Sequence, residues 1–168
     1  MPLLKKILWG NKGLIRLSPL NPKSRIKEFK IRRNMLQLHQ KLGLATLSAM
    51  IYQTYIGHQM YDGNNFEKLQ PIHKKLGYSV FGLYMTTASL SIFSPPAYKY
   101  SKKVSSIDIH RILAIIHFAG MLAQPWLGMQ MANSDCECDY QYYRDMHYKI
   151  GQITMVSFSL SFLTTLLP

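Results

Sequence analysis

Four histidines recur in one sequence context, and imidazole is the side chain best suited to hold a metal or pass a proton near neutral pH. The context reads His-Gln-Lys-Leu-Gly at 39–43, His-Lys-Lys-Leu-Gly at 73–77, His-Arg-Ile-Leu-Ala at 110–114 and His-Tyr-Lys-Ile-Gly at 147–151. A small residue follows each histidine by four: Gly43, Gly77, Ala114 and Gly151. Gln53 and Gln124 lie fourteen residues beyond His39 and His110, and Gly57 and Gly128 lie eighteen beyond. After His73 and His147 the same offsets hold Thr87 and Ser161, then Ser91 and Thr165. The repeating unit is therefore a pair of segments used twice, an internal duplication at a period of 34 to 37 residues.

At 3.6 residues per turn, offsets of 4, 14 and 18 return to nearly the same helix face. His, Gly, Gln and the far Gly then form one stripe, and small residues on an inward stripe admit a close helix or a flat ligand. The elements that must position this stripe are long and almost free of charge. Each motif opens onto a window without Asp, Glu, Lys or Arg: Leu42–Tyr61, Leu76–Tyr98, Ile112–Ser134 and Ile150–Pro168, of 20, 23, 23 and 19 residues. A soluble helix of that length needs a charged face, whereas ~20 apolar residues span a bilayer core. The expected fold is an all-α membrane protein. Residues 36–168 would form an up-down bundle of four transmembrane helices, and residues 1–35 a basic, amphipathic, interfacial segment. This composition excludes a soluble domain, a disulfide scaffold and a disordered chain.

Charge orients the bundle. The net charge is +12, and ten of the twenty Lys and Arg residues lie in the first 33 positions. Beside membrane spans, such a terminus reads as a partner of lipid and not of nucleic acid. Basic residues near span ends stay on the cytoplasmic side. Lys99, Lys102 and Lys103 in the 96–106 connection therefore side with the N-terminus. The 135–146 connection is acidic, with Asp135, Glu137, Asp139 and Asp145 against Arg144, and falls outside. Both termini are expected on the cytoplasmic or matrix side of a bacterial inner membrane or an organellar inner membrane. Residues 3–17 read as an interfacial helix, serving as an anchor for anionic lipid or as a docking arm. Cys136 and Cys138, in the acidic connection, are too few for a structural zinc site by themselves. A soft-metal pair, a disulfide and a bridge to another chain all stay open.

This topology puts His39 and His110 near the inner face and His73 and His147 near the outer one. Odd helices of an up-down bundle are diagonal to each other, as are even ones. Gly57 and Gly128, ~27 Å along their helices from the first pair, fall near the second and leave room for something bulky. Ionisable residues at membrane depth are costly and mark function. Axial ligation of two b-type haems, one near each face, accounts for all four histidines. Zinc fits poorly, because each face offers two ligands. His117, seven residues beyond His110 on the same face, is an alternative ligand. His58, at the outer end of the first window, reads as an interfacial residue, a quinone contact, a proton relay or a receiver of a metal substrate.

On these residues, the chain over 36–168 resembles the cytochrome b561 family, the two-haem transmembrane electron carriers. The resemblance implies that the first and third core helices share the cytoplasmic haem through His39 and His110. It implies that the second and fourth share the other haem through His73 and His147. Common members have six helices, and this chain has only the four core windows. Members that use ascorbate place basic residues near the haem faces. Lys41, Arg111, Lys74, Lys75 and Lys149 occupy such places here, and serve equally as snorkelling anchors.

The expected function is transmembrane electron transfer through two haems, with a quinone or a metal ion as acceptor. If the chain is an enzyme, it is a transmembrane oxidoreductase, because no nucleophile or acid–base pair stands out. A different class also fits: a non-catalytic membrane subunit that anchors or seals a larger respiratory or photosynthetic complex. Expected partners are membrane lipid, a small redox partner, and a second copy or a larger complex. A transporter fits least, since the windows lack carboxylates and Pro125 has no counterpart in the first window.

Overall fold

The computed structural model describes residues 3–19, 21–98 and 105–166, and helix is the only regular structure among them. The helices are α1 (Leu3–Trp9), α2 (Leu14–Leu17), α3 (Arg25–Tyr61), α4 (Phe66–Phe93), α5 (Ser106–Ala132) and α6 (Glu137–Thr164). Their ends follow local chemistry. Between α3 and α4, Gly63 (φ 79°) and Asn65 (φ 51°) take the left-handed conformation that Gly and Asn tolerate best. The Gly63 and Asn64 amides close the turn onto the Met60 and Gln59 carbonyls, at 3.1 and 2.9 Å. The Pro95-Pro96 pair follows α4 directly and cannot continue it. At the start of α5 the Asp108 carboxylate accepts from the Ser105 amide at 3.1 Å and from its hydroxyl at 2.8 Å. Cys136 caps α6, its Sγ accepting from the Asp139 amide at 3.3 Å.

Each charge-free window lies largely within one of the four long helices. Two of these, α4 and α5, are long and apolar enough to cross a membrane. Helix α6 carries more Gln, His, Ser, Thr and Tyr, and α3 begins at Arg25, so the basic stretch 25–33 is its first turns.

The chain divides into two units, Met1–Leu44 with Leu83–Lys103, and Ala45–Gly82 with Val104–Pro168. In the first unit the N-terminal arm folds back onto the end of α4. The Lys5 ammonium donates to the carbonyls of Ser91 (2.8 Å), Ile92 (3.1 Å) and Ser94, and to the Ser94 hydroxyl (2.8 Å). These include carbonyls that a helix end leaves without an intrahelical partner, and a cation there also opposes the helix dipole. Trp9 is buried and its indole N–H reaches the Phe93 carbonyl at 3.2 Å. Glu28, 1% exposed, is held between the guanidinium groups of Arg16 and Arg25. The same arm turns Leu3, Leu4, Ile7, Leu14 and Leu17 outward.

The second unit buries a mixed core. Met50, Ile56, Val80, Met121, Leu127 and Phe158 are buried, together with Thr46, His117, Thr154, Ser157 and Ser161. Its outer surface is apolar, with Ile112, Ile115, Ile153, Val156 and Leu163 each more than half exposed. Hydroxyls inside and aliphatics outside reverse the usual arrangement in water. Between α5 and α6, a β-carbon added at Gly120 would collide with the Thr154 side chain.

Candidate functional site: a histidine-lined cavity

Within the second unit the duplicated motif becomes a duplicated contact. A β-carbon on Gly57 of α3 would lie 3.0 Å from His73 Cε1 on α4, and one on Gly77 of α4 would lie 3.0 Å from Gln53 Nε2 on α3. Each histidine thus sits in the gap of a glycine across the helix pair, and each glutamine in the gap of another. The second pair repeats the pattern, with His147 against Gly128 (3.8 Å) and Gln124 against Gly151 (3.6 Å). Four residues up one helix match four residues down its partner, so the motif spacing is itself the antiparallel register. The glutamines act alike too. Gln53 Nε2 donates to the His73 carbonyl at 3.0 Å, and Gln124 Nε2 to the His147 carbonyl at 3.0 Å.

The two histidines meet. The His73 and His147 rings lie 6.1 Å apart, centre to centre, at an interplanar angle of 67°. They line a cavity of about 350 Å³ whose walls include Gln53, Gly57, Gly77, Gln124, Gly128 and Gly151. Gln53 Nε2 also approaches His73 Nε2 at 3.2 Å. His73 Nδ1, His147 Nδ1 and Gln53 Oε1 are buried without a hydrogen-bond partner. An unsatisfied buried polar atom costs about 1–3 kcal/mol, so three in one cavity mark a site built for something that supplies the missing partner. Both rings bring imidazole nitrogens to one cavity, the donor type that transition metals take. The immediate neighbours of Gly57 and Gly128 are the histidine rings themselves.

The other predicted residues stand as follows. In the first unit, His39 Nδ1 faces the Thr87 carbonyl at 2.8 Å, and a β-carbon on Gly43 would lie 4.0 Å from Thr87 Cγ2. In the second unit, His110 Nδ1 faces the Ser161 carbonyl at 2.9 Å. Thr87 and Ser161 are the matching positions of the repeat. A carbonyl only accepts, so Nδ1–H donates in His39, whereas in His110 the Ser161 hydroxyl also lies 2.9 Å from Nδ1 and can donate to it. His117 is buried and packs edge-on against Phe158 at 4.9 Å, a core position. His58 Nδ1 bonds the Tyr148 hydroxyl at 3.1 Å, its Nε2 lies 3.5 Å from Asp62, and it lines the cavity.

Sequence spacing alone missed several cavity residues. Tyr61 and Tyr148 stack at 4.0 Å, Tyr61 donates to Asp145 at 3.2 Å, and Arg144 lies over the Tyr61 ring at 5.0 Å. Gly151 belongs to the site by the repeat, since it follows His147 as Gly77 follows His73. Apart from the cavity, Cys136, Cys138 and Asp139 cluster at the start of α6.

No protein-family model, no curated protein and no solved structure matches this chain.

Proposed function

We propose that the chain is a transmembrane electron carrier of the cytochrome b561 type, an up-down bundle of four spanning helices that binds two b-type haems. The observation that carries this reading is the His73–His147 pair. The rings are 6.1 Å apart in a glycine-lined cavity, and each keeps a buried Nδ1 without a partner. His73 and His147 would be the axial ligands of one haem. The second haem rests on the sequence alone, which pairs His39 with His110. Haem iron, when bound, supplies one-electron redox chemistry at a potential set by its ligands and surroundings.

The chain's own residues do the rest. Gln53 and Gln124 fix the backbone that carries His73 and His147. Gly57 and Gly128 let each ring lie close against the facing helix. The aliphatic outer faces of α5 and α6 suit lipid, and the buried hydroxyls join helices where lipid offers no partner. Electrons would pass between the faces and leave to a quinone or a metal ion.

The test is a reduced-minus-oxidised absorbance spectrum of the detergent-purified chain, with haem counted per chain. A bis-histidine b-type spectrum at about two haems per chain is the expected result. One haem, lost in His147→Ala, keeps the cavity reading and removes the second site. No haem, after expression with ample haem supply, overturns the proposal.

A further inference from the structure

The start of α6 gathers donors of another kind. Cys136 Sγ, Cys138 Sγ and an Asp139 carboxylate oxygen all lie within 4.8 Å of one another, on exposed residues. The two cysteines form a disulfide with their Cα atoms 5.4 Å apart. Cys136 is also the N-cap of a 28-residue helix, its Sγ accepting from the Asp139 amide. We propose that reducing this disulfide opens a site for one thiophilic divalent ion of the zinc class, held by the Cys136 and Cys138 thiolates and the Asp139 carboxylate.

Three arguments meet on this site. The first is reach. Bonds of ~2.3 Å to sulfur and ~2.0–2.2 Å to oxygen place tetrahedral ligands roughly 3.5–4 Å apart. The three donor atoms lie within 4.8 Å of one another, so once the disulfide opens, side-chain rotation alone brings them to that spacing. The second is placement. The Asp139 amide points at Cys136 Sγ, so the turn that caps α6 holds this sulfur beside Asp139. The third is charge. Asp135, Glu137 and Asp139 surround the pair, and a divalent cation offsets negative charge that two further thiolates would otherwise increase. Exposure leaves the fourth ligand position to water, as in zinc sites with three protein ligands.

The chemistry balances with a small dithiol as reductant. Its two sulfurs close into a disulfide, and its two electrons and two protons pass to Cys136 and Cys138. Metal binding then releases both thiol protons. While the disulfide is closed, neither sulfur is a thiolate and the site is shut. Nothing in this proposal depends on haem.

Cadmium is the probe, because thiolate ligation gives it a charge-transfer absorbance in the ultraviolet. The full-length protein is reduced, freed of reductant under nitrogen and dialysed against Cd(II), with the oxidised protein alongside. The expected result is one Cd(II) per chain with the thiolate band in the reduced protein only. Cys136→Ser and Cys138→Ser should each weaken binding at least a hundredfold. Asp139→Asn should weaken it by about tenfold and keep the band. A reduced protein without the band overturns the site. So does a band that survives in the Cys136→Ser, Cys138→Ser double variant, since cavity histidines or methionines would then hold the metal. Unchanged affinity in Asp139→Asn overturns the carboxylate ligand.

Discussion

His73 and His147 face glycines at unequal distances, and that inequality makes a prediction. A methyl group added at position 57 would meet His73 Cε1 at 3.0 Å, so the ring must shift, whereas at position 128 the distance to His147 Cε1 is an ordinary 3.8 Å. If His73 and His147 hold haem as proposed, Gly57→Ala should lower its occupancy by half or more, while Gly128→Ala stays near wild type. Haem per chain measured on both variants decides it, and equal occupancy would mean that glycine is not what seats the rings. The histidines, glutamines and glycines were all legible in the sequence because an offset of four, fourteen or eighteen survives without any fold. What each glycine faces was not legible. That depends on pairing residue 57 with residue 73 and residue 128 with residue 147, which is a property of two helices together. His117 shows the same limit. Its offset from His110 made it a candidate ligand, and only its burial against Phe158 places it in the core.

At the level of the elements, α5 and α6 meet across a glycine. A β-carbon on Gly120 would collide with Thr154 Oγ1 and lie 3.1 Å from Thr154 Cβ. Overpacking of this kind costs typically about 1–3 kcal/mol, so Gly120→Ala should lower the thermal midpoint measurably and Thr154→Ala should restore part of it. A double-mutant cycle on unfolding temperature reads that coupling, and independent effects would show that the helices adjust without strain. The N-terminal arm gives a second test. Trp9→Phe keeps the ring and removes the bond to the Phe93 carbonyl, a loss of roughly 1 kcal/mol. The arm should then be cut faster at 10–19 in limited proteolysis, and an unchanged rate would mean that Lys5 and the Arg16–Glu28 pair secure it without that bond. Sequence patterning found the arm's amphipathic character but not its attachment. Lys5 and Ser94 are 89 positions apart, and a lysine's position among basic neighbours does not say which helix end it caps.

For the whole molecule, the open question is how many helices cross the membrane. Among the described residues only α4 and α5 pass on length and apolarity, yet α6 also turns Ile153, Val156, Leu160 and Leu163 outward while burying Thr154, Ser157 and Ser161. A hydropathy average counts those hydroxyls against a span, although hydroxyls buried between helices never meet lipid. Four spans require the 62–65 and 133–136 connections to share one side of the membrane, opposite the basic N-terminus. In a Cys136→Ser, Cys138→Ser background, Asn64→Cys should react with a membrane-impermeant maleimide on intact cells or right-side-out vesicles. Ser24→Cys should react only after the membrane is opened. Restoring Cys136 alone should reproduce the Asn64→Cys pattern, because both connections then lie outside. If only α4 and α5 spanned, Asn64 and Ser24 would label together, since the chain would not cross between them. That outcome would leave His73 and His147 in place and remove the membrane depth on which the electron-transfer reading depends.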